Sequence, residues 1–334
     1  MDTNPSLYSL KPEIRLDKYL ARRRLARSSS VANQFSTKIQ PLDNILSAHT
    51  ALTMEYCTIS VRGSSRERNE DAYGTREGDI FVAADGVGGS RHGEVASETA
   101  VRVILQWLDS HAQLLNMRPK LTLLSAVRQA NDEIIRRGLN DPRLIGMGTT
   151  IVVAFLHENH AYVVNVGDSR AYLIRPPHTI EQLSMDHTLL QELLKSKKSV
   201  DKPHNLNFLQ RVITQSLGSR RISPHHSETG LREGDYIVLC TDGLTTTVSN
   251  DQIMSAVLSG SPLRTISRKL VSTAREAGGG DDITIVLVHA VHNASIANHS
   301  VRNKLSQTSG TRRDPRIIAS RMIGCHAKRF NQMI

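Results

Sequence analysis

Four acidic sites in this 334-residue chain fall where a predicted strand begins or ends, and a fifth closes a charged run. Asp85 follows the apolar run 80–84 and precedes Gly86. Asp242 follows 237–241 and precedes Gly243. Asp168 follows 162–166 within Gly167-Asp168-Ser169-Arg170, and Asp281 with Asp282 follows Gly278-Gly279-Gly280 to open an apolar run. Glu70 and Asp71 close Arg66-Glu67-Arg68-Asn69-Glu70-Asp71. A rigid sheet can aim acids held at its edges, and neighbouring glycines allow close backbone approach and leave carbonyls available as ligands. Such an oxygen-only, acid-rich set suits Mg²⁺ or Mn²⁺; with no cysteine nearby and few histidines, zinc is disfavoured. Asp-Gly on its own is ordinary turn chemistry, so the weight lies in five such sites in order.

The elements that must position these acids are well marked. Strands are predicted at 58–62, 79–84, 149–156, 160–166, 170–174, 236–241 and 282–290. The three from 149 to 174 are short, rich in Val and Ile and separated by brief turns, which predicts an antiparallel meander. The run 236–241 is apolar almost throughout, as a strand buried on both faces should be. A helix over 94–108 places Ala96, Ala100, Val103, Ile104 and Trp107 on one stripe; a second over 121–138 does so with Leu124, Val127 and Ile134. Two more follow at 250–259 and 262–276, the last announced by Ser261-Pro262 as cap and first turn. Clustered strands and paired helices predict a layered α+β domain, sheet on sheet with helices outside.

Composition narrows the classes. The hydrophobic content of 39% supports a proper core, and with only 4% aromatics it is built mainly from Val, Ile, Leu and Ala. Cys57, Cys240 and Cys325 are far apart and form no C-x-x-C pair, which argues against a disulfide framework and for a reducing compartment. No apolar run nears the roughly 18 residues of a membrane span, and no basic-then-apolar signal opens the chain, so a cytoplasmic location is expected. The formal charge of +10 resembles a nucleic-acid footprint, but residues 1–50 hold 8 Lys/Arg against 4 Asp/Glu and 290–334 hold 8 against 1, leaving 26 against 27 between them. Basicity confined to the ends reads as solvated tails and disfavours nucleic-acid binding. Three parts follow: a basic, disordered extension over 1–53, a catalytic domain over 54–291 and a basic, disordered tail over 292–334. Met54 stands as an alternative start.

The ordered series Arg66-x-x-x-Glu70-Asp71, Ala84-Asp85-Gly86-Val87-Gly88-Gly89, Gly148-Thr149-Thr150, Gly167-Asp168-Ser169-Arg170, Asp186-His187, Cys240-Thr241-Asp242-Gly243 and Asp281-Asp282-Ile283-Thr284 resembles that of the metal-dependent protein phosphatases, the protein phosphatase 2C family, in its bacterial form. The resemblance spans about 57–290 and neither tail. It implies a four-layer αββα sandwich, two central antiparallel β-sheets flanked by helices. It also implies a phosphatase of phosphoserine and phosphothreonine proteins, opposed by a Ser/Thr kinase and monomeric. Carried over by motif, Asp85, Asp242 and Asp281 would hold one metal; Glu70, Asp85 and the Gly86 carbonyl a second; Asp168 with Asp242 a weaker third. Arg66 would grip the substrate phosphate, and Asp71 would orient water or a ligand at the metals. A hydroxide bridging two cations would attack phosphorus in line without a phosphoenzyme.

The chain departs from the family in two places. Ser90 stands where many bacterial members resemble one another in having a histidine, and His92 follows two residues later; a helix-start role and proton donation both remain open for it, and so does the general acid. The pair Asp281-Asp282 replaces the usual Asp-Asn. The segment 189–217 matches a family flap, whose Lys195, Lys197, Lys198 and Lys202 could meet acidic substrates, although a solvated loop is the default. His187 reads as structural. The alternative function is a catalytically weak phosphatase-fold module that binds phosphoproteins or partners. Such a module should have lost a metal-bridging carboxylate, yet Glu70, Asp85, Asp242 and Asp281 are all present.

Overall fold

The structure, a computed structural model, describes residues 52–76, 78–87, 92–196, 206–292 and 324–326. The chain divides into residues 1–48 and 49–334, and every described residue belongs to the second unit. The readings of the N-terminal extension, of nearly all the C-terminal tail, of Gly88, Gly89 and Ser90, and of Lys197, Lys198 and Lys202 lie outside the described residues.

In chain order the strands are β1 (Leu52–Val61), β2 (Asp71–Arg76), β3 (Ile80–Asp85), β4 (Ile151–His157), β5 (His160–Val166), β6 (Arg170–Arg175), β7 (Thr179–Gln182), β8 (His225–Gly230), β9 (Tyr236–Cys240), β10 (Ile283–His292) and β11 (Gly324–His326). The helices are α1 (Gly93–Ser110), α2 (Ala112–Met117), α3 (Pro119–Asn140), α4 (Leu189–Lys195), α5 (Leu206–Arg211), α6 (Asp242–Thr245), α7 (Asn250–Val257) and α8 (Leu263–Glu276). One sheet runs β11-β1-β10-β9-β6-β7, the other β2-β3-β4-β5-β8, and every pairing is antiparallel.

The period-2 alternation of buried strands sorts the side chains into three cores. Phe81, Val152, Val163, Ile237, Leu239 and Val286 meet between the sheets. Ile80, Val82, Val153 and Phe155 face Ala96, Ala100, Ile104, Ala126, Val127 and Ile134 of α1 and α3. Val238, Cys240, Ile285 and Leu287 face Ile253, Val257, Ile266 and Leu270 of α7 and α8. The result is the expected αββα order. Strand β9, with 237–240 at 2% exposure or less, feeds both the inner core and the outer helical layer, as its unbroken apolar run requires.

Several expectations are corrected. The meander breaks at Gly167: β4 pairs β5, but β6 joins the other sheet beside β9. Gly167 makes that crossing at φ 97°, where a Cβ would stand 2.6 Å from the Thr150 side chain, so only glycine fits. Ser261 does not cap α8; Pro262 is itself the N-cap, with no side-chain hydrogen bond. The clear capping box instead belongs to Ser249 and Gln252 at α7. The segment predicted as a solvated loop carries two short helices, α4 and α5. Cys57 is disulfide-bonded, against the expectation from spacing; Cys325 stands opposite it in the β1–β11 register, and Cys240 is a free buried thiol. Antiparallel pairing unites residues remote in sequence, which spacing alone does not reveal. Among the described residues no helix is long and apolar enough to cross a membrane.

Candidate active site

In an antiparallel sheet the start of one strand lies beside the end of its neighbour, so acids at alternating ends collect on one side. Asp71 opens β2 and faces Asp85, the last residue of β3, in register. Thr241 and Asp242 follow β9, while Asp281 and Asp282 precede its partner β10; Asp168 lies between β5 and β6. The turn after β3 is drawn in by the Gly86 N–H, which donates to the Glu70 carbonyl at 3.1 Å. A Cβ on Gly86 would fall 2.5 Å from Gly93 and 2.8 Å from that carbonyl, so the close approach of these backbones needs glycine. Glu70, Asp71, Asp85, Asp168, Asp242 and Asp281 thus gather at one end of the sandwich.

Their supports are mostly hydroxyls and backbone amides. Thr150 Oγ1 accepts the Asp85 N–H at 3.0 Å, and Thr149 donates its hydroxyl to the Asp85 carbonyl at 2.8 Å, which explains the paired threonines of the motif. The buried Asp71 accepts the Thr241 hydroxyl at 2.8 Å. His187, 4% exposed, accepts the Gly167 N–H on Nδ1 at 3.1 Å, and its backbone N–H donates to the Gly167 carbonyl at 3.0 Å. Burial pushes its imidazole down to about 4, so it is a neutral acceptor that holds the Asp168 turn, as the structural reading expects. Arg170 and Asp186 form a tight ion pair, with a shortest distance of 2.6 Å.

Asp282, where the family usually has asparagine, is 3% exposed. Its Oδ1 accepts the Gly63 N–H at 2.8 Å and its Oδ2 the Glu70 N–H at 2.7 Å. An asparagine could accept only one of these, so the second carboxylate oxygen clasps both ends of the loop that presents Arg66 and Glu70. Asp282 therefore acts on the backbone, a role the sequence left open.

The electrostatics of this end are those of uncompensated negative charge. Burial raises the Asp71 and Asp85 carboxyls well above the usual range, and nearby carboxylates add to it. Asp168 is pushed up to about 8 by burial and then by Asp242, while burial also raises Glu70 and Asp242. Asp71, Asp242 and Asp168 are the neighbouring carboxylates that push Asp85 up, as crowded like charges do. Among the described residues, seven buried side-chain polar atoms lack a hydrogen-bond partner; four are Glu70 Oε2, Asp71 Oδ1, Asp168 Oδ1 and Asp242 Oδ1. Orphaned acceptors concentrated in this way fit a hard divalent cation. They are not yet a closed cage, since among the described residues no three His, Cys, Asp or Glu side chains are drawn together closely enough to hold an ion. Asp281 is engaged elsewhere, with Arg66 Nε and Nη2 each donating to it at 2.8 Å.

Beside the acids opens a pocket of about 150 Å³, lined by Asp168, Arg170, Asp186, Asp242, Thr245 and Thr246 together with Gln210 and Arg211 of α5. Neither the hydroxyls of α6 nor these flap residues belong to a motif, and nothing in their local pattern singled them out. His92 is the N-cap of α1 and makes no side-chain capping hydrogen bond; its ring lies 3.8 Å from Glu94.

An antiparallel αββα sandwich with a carboxylate cluster at one end describes a class of metal-dependent hydrolases, and comparison makes it specific. The family model described as protein phosphatase 2C matches residues 62–282. Protein phosphatase PhpP of Streptococcus pneumoniae is 35% identical over 241 residues, covering 70% of this chain and 97% of that protein. Serine/threonine phosphatase stp of Listeria monocytogenes is 34% identical over 237 residues, covering 68% and 92%. The solved serine/threonine phosphatase PstP/Ppp of Mycobacterium tuberculosis superimposes with a TM-score of 0.65 at 29% identity, over 72% of this chain and 100% of that one. The catalytic domain of PstP in complex with two manganese ions gives 0.64 at 30% identity, over the same shares. The chain belongs to the protein phosphatase 2C family.

Proposed function

We propose that this protein is a metal-dependent phosphatase of phosphoserine and phosphothreonine in proteins, acting against a Ser/Thr kinase. Glu70, Asp85, the Gly86 carbonyl, Asp242 and Asp281 would hold two divalent cations, and Asp168 with Asp242 a weaker third. The observation that carries this reading is the set of buried, unpartnered carboxylate oxygens on Glu70, Asp71, Asp168 and Asp242. Manganese is favoured because a structural neighbour at 30% identity was solved with two manganese ions; magnesium shares the same oxygen chemistry. Bound cations would supply a water-derived nucleophile at neutral pH and neutralise charge on the phosphoryl group.

The chain's own residues do the rest. Arg66 carries a planar fork suited to two phosphate oxygens. Asp71, anchored by Thr241 through Oδ2, keeps Oδ1 for a water proton and so orients the attacking water. Gln210 and Arg211 line the same pocket as Asp168 and Asp242, where a phosphopeptide would enter. The free thiol, Cys240, is buried under α7 and α8 and pushed up to about 12, which makes it unfit as a nucleophile and supports hydrolysis without a cysteinyl intermediate. The test is hydrolysis of p-nitrophenyl phosphate and of phosphoserine and phosphothreonine peptides by the wild type and Asp242→Asn, with Mn²⁺ and with chelator. Activity indifferent to both chelator and substitution would end this reading.

A further inference from the structure

Arg66 is assigned to the substrate phosphate, yet the Nε–Nη2 edge of its guanidinium is committed within the protein. Nε donates to Asp281 Oδ1 at 2.8 Å and Nη2 to Oδ2 at 2.8 Å, while Nη1 stands 3.9 Å from Glu70 Oε2. Both oxygens of Asp281 are taken, and Oδ1 also accepts the Asp282 N–H at 2.8 Å. The loops that carry the pair are stitched together: the Ser65 N–H donates to the Gly280 carbonyl at 3.0 Å, and Asp282 clasps Gly63 and Glu70. The backbone therefore presents Arg66 and Asp281 to each other.

A carboxylate cannot offer the same lone pairs to a guanidinium fork and to a cation at once. Nor can the Nε–Nη2 edge, filled by one carboxylate, also grip a phosphate. About a third of each side chain is exposed, 32% for Arg66 and 35% for Asp281, so the pair can part without burying a bare charge. Resting on the cation site proposed above, we infer that Arg66 and a divalent cation compete for Asp281, so that a cation taken up there frees the Arg66 fork for the substrate phosphate. Cation and phosphate then favour each other by linkage, and a metal-free site keeps the Nε–Nη2 edge from the phosphate.

Calorimetric titration of Mn²⁺ and, separately, of inorganic phosphate into the metal-stripped full chain tests this. Arg66→Ala should bind Mn²⁺ about tenfold more tightly than the wild type, the size of one charge-assisted contact removed from competition. Arg66→Lys, which keeps the charge but loses the fork, should gain about threefold, a fraction of that contact. Arg68→Ala, two residues away and paired with Glu94, should gain nothing. Without metal, Asp281→Asn should bind inorganic phosphate several times more tightly than the wild type because Arg66 is released. Circular dichroism melts check that each variant folds, and the lysine and asparagine variants decide the matter if Arg66→Ala does not. Mn²⁺ binding that is unchanged or weaker in the folded Arg66 variants, or phosphate binding unchanged in Asp281→Asn, overturns the competition. A wild type that takes up no Mn²⁺ overturns the underlying cation site, and the competition with it.

Discussion

Strand β9 has an acid at each end, and the two are treated in opposite ways. At its start Asp235, 1% exposed, is saturated: Arg175 Nε and Nη2 each donate to it at 2.8 Å, and the Arg232 N–H adds a third bond at 2.8 Å. Just beyond its other end Asp242 has an oxygen with no partner and is surrounded by further acids. Asp235 is buried and saturated; Asp242 is half-buried, with Arg66 and Arg211 in its field, yet keeps an oxygen without a hydrogen-bond partner. A carboxylate that stabilises a fold arrives with its cation and amides built in, because an unpaired buried charge costs several kcal/mol. One left uncompensated among others marks an end of the molecule whose missing partner comes from outside.

The widest expected separation is between substitutions at these two acids. Asp242→Asn should lower phosphatase activity by about a hundredfold or more, as loss of a metal ligand does. In metal-stripped protein it should raise stability by about 1 kcal/mol, since it removes one half-buried, incompletely compensated charge. Asp235→Ala should do the reverse, costing about 2 kcal/mol by stranding Arg175 while the activity of the folded fraction persists. Thermal melts with and without Mn²⁺, beside specific activity, read both. If the two variants shift stability in the same direction, the contrast is wrong.

The pH dependence sharpens the same point. Asp168, pushed up to about 8, stays protonated in the metal-free fold where the unfolded chain has already ionised, and burial raises Asp71 and Asp85 in the same direction. Their contribution is complete below the unfolded value near 4 and is lost as pH rises through the folded values, at about 1.4 kcal/mol per pH unit for each group. His187, lowered to about 4, acts in the opposite sense, its neutral form losing stability as pH falls from 6.5. The clean window is therefore pH 6.5 to 8, where metal-stripped protein should melt lower as pH rises. Asp168→Asn should flatten that slope, and saturating Mn²⁺ should reverse it, because cations bind the ionised form.

How much of this could be read from the residues differs between the two ends of β9. The strand was legible because its apolar run is unbroken, and the acids of the site because Asp85, Asp168 and Asp242 each fall in a turn with glycine. Strand β2 was not: it opens on Asp71 and contains Gly74, where α1 approaches so closely that a Cβ would meet Leu105 at 2.6 Å. Nothing local predicts that β6 leaves its hairpin for the other sheet, because the crossing depends on one positive-φ glycine and a packing partner elsewhere. The saturation of Asp235 was equally hidden, since Arg175 is 60 residues away in sequence.

Asp282 offers a smaller test between the extremes. It is a buried acid at the site end that is saturated, by two backbone amides, so by the rule drawn from β9 it belongs to the fold. Asp282→Asn leaves either Gly63 N–H or Glu70 N–H without its acceptor, a loss of about 1–2 kcal/mol. Hydrogen exchange should quicken at those two amides, and Mn²⁺ affinity should drop only through the loosened Glu70 loop. A Mn²⁺ loss as large as that of Asp242→Asn would place Asp282 among the ligands instead.

The smallest effect concerns His92, which has two readings. It sits at φ 80°, in the left-handed region that side chains other than glycine occupy at a cost, and its ring makes no capping hydrogen bond. If it serves only to start α1, His92→Gly relieves that strain against the greater freedom of glycine in the unfolded chain, a net gain of about 0.5 kcal/mol. If instead its imidazole protonates the departing alkoxide, the variant should lose rate most on esters whose leaving group is a poor one. Rates on aryl phosphates of graded leaving-group pKa separate the two. The geometry, with the ring 3.8 Å from Glu94, favours an unchanged slope and a slightly higher melting temperature. A steeper slope in the variant would mean that the acidic end of the sandwich relies on a histidine as well as on its carboxylates.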